Sequence, residues 1–176
     1  MKGKLILVLG GSRSGKSEFA EKIAGKLGGR VTYIATAAVN DSEMAERVRL
    51  HRTRRPEHWV TVEEEKDVAG VVRKGCEGEV FLLDCVTVWL TNLMLDSEQQ
   101  DYIMEKVYQL ADSVDNGANL ILVSNEVGLG LVPEYPLGRL FRDLAGKANQ
   151  ALAAKADQVY FVVAGLPMEI KPDRNT

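Results

Sequence analysis

The chain has 176 residues and a mass of 19.4 kDa, about the length of one domain, and with 45% hydrophobic and 27% charged residues it is not a disordered chain. Its 22 Lys and Arg against 25 Asp and Glu give a formal charge of -3, which excludes a generally basic nucleic-acid coat and any bulk attraction to an anionic membrane. The two cysteines, Cys76 and Cys85, lack CxxC spacing and the two histidines are not clustered, so neither a disulfide framework nor a zinc site is expected; a chain this long buries about 70% of its unfolded surface and needs no such staple.

Leu5 to Leu9 is the first short apolar run. The preceding Lys2 and Lys4 give it a faint likeness to a signal peptide, but the apolar part is too short and runs straight into Gly10-Gly11, so it reads as a buried strand. No apolar run approaches the roughly 20 residues that span a bilayer. No membrane anchor is expected, and the expected compartment is the cytoplasm. A helical pattern follows over Lys16–Leu27, then a strand over Val31–Thr36 and a helix over Ser42–Arg54. Trp59–Glu63 reads as a shorter strand, Lys66–Arg73 as a helix and Val80–Asp84 as a strand, with a further helix starting near Val86. The helix Asp101–Asp115, the strand Leu120–Ser124, the helix Leu137–Ala156 and the strand Val159–Val163 complete the series. The last six residues, Lys171 to Thr176, read as a polar, frayed tail. None of the main strands shows a clean in/out alternation, so both sheet faces are expected to be covered. Strand–helix alternation predicts a single α/β domain over residues 1–176, a sandwich built on a mainly parallel sheet.

The strongest local signal is Gly10-Gly11-Ser12-Arg13-Ser14-Gly15-Lys16-Ser17, which fits G-x-x-x-x-G-K-[ST] between a predicted strand and a predicted helix. Glycines let backbone N–H groups approach phosphate oxygens without a Cβ in the way. The helix that follows points its N-terminus at the anion. Lys16 can reach the β- and γ-phosphates, and the Ser17 hydroxyl can bind Mg²⁺. Asp84 ends a strand where a second acidic group for the metal belongs; a further role, compatible with the first, is an N-cap for the helix starting near Val86. Asn125 and Glu126 end the next strand and are expected to face the ligand crevice, or else only to shape the loop before Gly128.

Arg47, Arg49, His51, Arg52, Arg54 and Arg55 crowd into nine residues. Arg47 and His51 lie four apart and share a helix face. One reading is a solvated helix with ion pairs such as Glu43 to Arg47. The other is a phosphate clamp with His51 as nucleophile, its imidazole held neutral by the neighbouring guanidiniums. His58, before Trp59, reads as a packing or turn residue.

Beyond the phosphate loop the chain resembles the bifunctional adenosylcobinamide kinase/adenosylcobinamide-phosphate guanylyltransferases of cobalamin biosynthesis. The resemblance is carried by Leu9 to Ser17, Tyr33-Ile34-Ala35-Thr36, Glu43 to Val48, His51-Arg52, Arg55-Pro56, Trp59, Thr61 and Glu63. It continues through Leu83-Asp84-Cys85-Val86-Thr87, Thr91-Asn92-Leu93, Ser124 to Gly128 and Val132-Pro133-Glu134. It ends on Arg139, Phe141-Arg142-Asp143, Gly146, Asn149-Gln150 and Leu152-Ala153. The resemblance implies a P-loop NTPase fold, RecA-like, a three-layer sandwich, and a trimer. It implies a kinase that phosphorylates adenosylcobinamide with ATP or GTP. A guanylyltransferase then carries GMP from GTP to adenosylcobinamide phosphate through a GMP–histidine intermediate. The guanylylated histidine falls on His51, where some members have two adjacent histidines and this chain has Leu50 before a single one. Nucleotide contacts are expected at Gly10, Gly11, Ser12, Arg13, Ser14, Gly15, Lys16 and Ser17, then at Ala35, Thr36 and Ala37. Further contacts are expected at Arg52, Thr53, Arg54, Arg55, Glu63 and Asp84, with Mg²⁺ at Ser17 and Asp84. Lys16 is the second catalytic residue. The partners implied are GTP, ATP, adenosylcobinamide and its phosphate, with no nucleic acid. The alternative is a monofunctional P-loop small-molecule kinase without guanylyl transfer.

Overall fold

A computed structural model of the chain describes residues 2–37, 55–97 and 99–173. Seven strands form one sheet: β1 (Leu5–Gly10), β2 (Val31–Ala35), β3 (Val60–Glu63), β4 (Val80–Asp84), β5 (Asn119–Asn125), β6 (Gln158–Val163) and β7 (Leu166–Lys171). Their order is β3-β2-β4-β5-β1-β6-β7, parallel throughout except for β7, which pairs antiparallel to β6. The described helices are α1 (Lys16–Leu27), α2 (Val68–Arg73), α3 (Val86–Asp96), α4 (Gln100–Ala111) and α5 (Pro136–Lys155). The predicted helix Ser42–Arg54, with His51, Arg52, Thr53 and Arg54, lies outside the described residues.

The lack of alternation in the strands has a direct cause. Leu5, Leu7 and Leu9 of β1 pack in one buried cluster with Trp89, Leu90 and Leu93 of α3, Ile103 and Val107 of α4, and Leu144 and Leu152 of α5. Ile6 and Val8, the residues between, pack in a second cluster with Ala20 and Ala24 of α1. Phe81 and Leu83 against Val80 and Leu82 on β4, and Leu120 and Leu122 against Ile121 and Val123 on β5, divide the same way. Both pleat faces are apolar because each meets its own helix layer. The result is the expected three-layer sandwich.

Three elements differ from the sequence expectation. The predicted helix Asp101–Asp115 is two pieces, α4 and a 3-10 turn over Ser113–Asn116. The buried Ser113 hydroxyl donates to the Leu110 carbonyl at 2.7 Å, giving the backbone an alternative to further helix. The expected frayed tail is anchored as far as residue 173. Lys171 ends β7 and its ammonium donates to the Ala153 and Ala154 carbonyls, while the buried Asp173 accepts from Lys4 Nζ at 2.7 Å. The third is β7 itself, which the sequence reading does not contain.

The β6–β7 turn is a two-residue hairpin, Ala164 at φ 51° and Gly165 at φ 80°, the positive-φ pair that matches strand twist. The Gly165 N–H donates to the Ser14 carbonyl at 2.8 Å, so this turn backs the glycine-rich loop.

Candidate active site

Gly10 closes β1 and Gly15 opens α1 in the left-handed region at φ 93°. A Cβ on Gly10 would lie 2.5 Å from Ser14 Oγ and 2.6 Å from the Val162 carbonyl. Only a glycine fits at Gly10, where the loop packs tightly against β6. Ser14 Oγ is buried and has no hydrogen-bond partner among the described residues. A buried hydroxyl of that kind calls for a polar ligand, and phosphate oxygens are suited to it. Lys16 is buried, and its ammonium donates to the Gly11 carbonyl at 3.0 Å, so it lies over the loop it follows. Burial pushes its pKa below the usual lysine range, while Asp84 and the Cys85 thiol pull it back up.

Asp84 closes β4 and is separated from the loop's strand by β5 alone. The sheet register sets Gly10 opposite Asn125 and Asp84 opposite Val123. The carboxyl ends of β1, β5 and β4 thus stand side by side, the edge at which open α/β sheets bind ligands. The helix that follows is capped at Cys85, not Asp84, so the N-cap role considered for Asp84 is not the one it fills. The Asp84–Cys85 peptide is cis.

The ends of β2 and β3 join the same edge. Ala35 is in register with Glu63, and the Glu64 N–H donates to the Ala35 carbonyl at 3.0 Å. Thr36 is fully buried, its hydroxyl donating to the Cys85 carbonyl at 3.4 Å, and the half-buried Ala37 follows. Of the three consecutive glutamates, Glu64 accepts from the Lys66 and Asp67 N–H groups and so shapes the entry to α2, while Glu63 ends the strand at the crevice. Tyr33, buried in β2, donates to the Asp84 carbonyl at 3.3 Å, and the Arg55 guanidinium lies 3.1 Å from the centre of its ring. Burial and Asp84 raise the Tyr33 pKa well above the usual phenol range, with Arg55 opposing them, so the hydroxyl stays protonated. His58 is exposed in the turn between Pro56 and Trp59, whose N–H donates to the Pro56 carbonyl.

Asn92 was no part of the expected site. Its amide on α3 donates to the Thr36 carbonyl at 2.7 Å and the Glu65 carbonyl at 3.1 Å, clamping the loops after β2 and β3 together. The available signal was its place in the matched run Thr91-Asn92-Leu93. Asn125, expected at the crevice, also heads a chain of polar contacts that the sequence reading does not contain. Asn125 donates to Thr87 Oγ1 at 2.9 Å, Asn149 of α5 donates to the Asn125 carbonyl, and Ser124 Oγ donates to Asn149 Oδ1 at 2.7 Å. Glu126 turns back to accept from the Gly128 N–H, while its own N–H donates to the Gly10 carbonyl. Asn125 and Glu126 therefore both stand at the crevice, and Glu126 shapes the loop as well.

Residues 6–170 match the family described as cobinamide kinase / cobinamide phosphate guanyltransferase. The chain belongs to that family. It is 47% identical over 166 residues to the bifunctional adenosylcobalamin biosynthesis protein CobP of Pseudomonas aeruginosa, covering 94% of this chain and 96% of the relative. It is 43% identical over 181 residues to the bifunctional adenosylcobalamin biosynthesis protein CobU of Escherichia coli K12, covering 95% and 99%. Among solved structures it resembles an ATPase of a type III secretion system (TM-score 0.60, 12% identity, 96% of this chain and 57% of that one). It also resembles the RadB recombinase (TM-score 0.53, 14% identity, 91% and 74%). These likenesses support the P-loop NTPase, RecA-like fold. Membership makes the chain one of a family of bifunctional kinase and guanylyltransferase enzymes. Among the described residues no helix is long and apolar enough to cross a membrane.

Proposed function

We propose that this family member phosphorylates the hydroxyl of adenosylcobinamide with ATP or GTP and then transfers GMP from GTP to the product, with His51 as the guanylylated residue. The observation that carries the reading is the phosphate cradle set one strand away from Asp84 in a chain that matches the family over residues 6–170. In the kinase step the acceptor hydroxyl attacks the γ-phosphorus and the nucleoside diphosphate leaves. Lys16 and the loop N–H groups meet the charge that develops on the transferring oxygens. In the second reaction a lone pair of the neutral His51 imidazole attacks the α-phosphorus of GTP and pyrophosphate leaves. A phosphate oxygen of the corrin substrate then attacks the same phosphorus, and the P–N bond to His51 breaks. Acid stops this route, because a protonated imidazole has no lone pair to offer.

The cradle (Gly10 to Ser17), the loop Ala35 to Ala37, Arg52 to Arg55, Glu63 and Asp84 are the nucleotide contacts of this reading. The Ser17 hydroxyl and the Asp84 carboxylate are hard oxygen donors of the kind Mg²⁺ takes. Ser17 and Asp84 are the residues that would hold the ion, and Mg²⁺ with one or two protein ligands commonly completes its shell with water and substrate phosphate oxygens. Mg²⁺ bound there would neutralise charge on the triphosphate. We further propose a trimer, which the family resemblance supports, of single-domain chains working in the cytoplasm.

The test is incubation with Mg²⁺ and GTP labelled on the α-phosphate, followed by denaturation. Retained label that is acid-labile and alkali-stable marks a P–N bond to histidine. Phosphorylation of cobinamide without any retained label would leave a kinase alone.

A further inference from the structure

We propose that the corrin ring of the acceptor docks on the apolar loop between β5 and α5; the assignment rests on the family reading of the substrate. Leu129, Leu131, Val132, Tyr135 and Leu137 are 79%, 96%, 63%, 77% and 67% exposed. Single exposed apolar residues are ordinary, but five within nine positions form a patch of the kind that binds something. The loop that bears them is not slack. Arg139 reaches back from α5 and its Nη1 donates to the Pro133 carbonyl at 3.1 Å and the Glu134 carbonyl at 2.6 Å. At the other end Glu126 holds the Gly128 N–H at 2.8 Å. Both ends are tied through polar groups while the apolar side chains point to solvent, an arrangement that pre-organises a surface.

Its place names the occupant. The loop grows from the carboxyl end of β5, where Asn125 is in register with Gly10 and the Glu126 N–H donates to the Gly10 carbonyl. Its root therefore touches the first residue of the phosphate cradle, at the strand edge where the phosphoryl acceptor must arrive. The surface runs on into a cavity of about 540 Å³ between α3 and α5, walled by Met94, Leu95, Leu137 and Leu140. A corrin is a broad macrocycle with apolar faces and an amide-bearing edge, and its reacting hydroxyl sits at the end of a flexible aminopropanol arm. An apolar shelf beside the cradle, edged by Glu126, Glu134 and Arg139, suits the ring on the shelf and the arm reaching inward.

The experiment is equilibrium dialysis of cobinamide, followed by corrin absorbance, against the full chain and against Leu129→Ser with Leu131→Ser. Sedimentation velocity and thermal melts are run on both proteins. Binding by the original chain, weakened tenfold or more in the double variant with unchanged sedimentation and melting, is the expected result. Leu131→Met, which keeps an apolar side chain, should bind as the original does. Equal binding by the double variant would overturn the docking site and leave the substrate reading standing. A changed sedimentation coefficient would assign the patch to contact between copies and overturn it as well. An original chain that binds no cobinamide would overturn both.

Discussion

Lys16 shows how one residue is set between opposing effects. Burial disfavours its ammonium, Asp84 favours it, and the ammonium form is the one a phosphate needs. Lys16→Ala should lower both phosphoryl and guanylyl transfer by about 100-fold or more, since the lost contact strengthens as charge builds, while circular dichroism reports an intact fold. Asp84→Asn removes an influence that raises the Lys16 pKa. Triphosphate binding held by the ammonium is lost as pH rises through that pKa, so in Asp84→Asn the alkaline limb of a binding profile should move to lower pH. The same variant should need roughly tenfold more Mg²⁺ for half-maximal turnover, a carboxylate being a far better ligand than an amide; an unaltered metal requirement would remove Asp84 from the metal site. At this scale the sequence was most informative where chemistry leaves a fixed spacing, as from Gly10 to Ser17. It said nothing of Asn92 as a clamp, because its bonds go to the backbone carbonyls of Thr36 and Glu65, groups every residue carries.

Helix α3 begins Val86-Thr87-Val88, β-branched residues that carry little helical signal. What makes it a helix is the burial of Val86, Trp89, Leu90 and Leu93, spaced for one face, and the sequence reading reached only its start. Strand β7 was missed although Leu166, Met168 and Ile170 alternate behind a Gly turn. Pro167 is out of place in a strand except at a sheet edge, which is where β7 lies. Both elements serve the site: α3 carries Asn92, and the turn before β7 supports the cradle at Ser14. Asn92→Ala should raise the KM for GTP severalfold and lower stability by about 1–3 kcal/mol, because the carbonyl of the buried Thr36 loses its donor and the exposed Glu65 carbonyl loses its tie to it. Gly10→Ala drives a Cβ into the Val162 carbonyl and Ser14 Oγ. Relieving that overlap should cost about 1–3 kcal/mol in a denaturant melt and distort the cradle enough to weaken nucleotide binding.

Across the whole molecule, strand–helix alternation predicted the parallel sheet, and the strand order placed Asp84 and Gly10 on either side of β5. No periodicity carries that order: which strands become neighbours is decided by the packing of α1 on one face against α3, α4 and α5 on the other. The shared edge brings the ends of five strands to one crevice, enough surface for a nucleotide and a second substrate. The central claim is that one chain performs two transfers there, the second through a covalent GMP on His51. It is tested most directly by comparing His51→Ala with His58→Ala after incubation with α-labelled GTP and Mg²⁺. The account predicts that folded His51→Ala retains no label yet still phosphorylates adenosylcobinamide, while His58→Ala, altered in an exposed turn, is labelled as fully as the unaltered chain. Label kept by His51→Ala and lost from His58→Ala would contradict it and move the nucleophile to the other histidine.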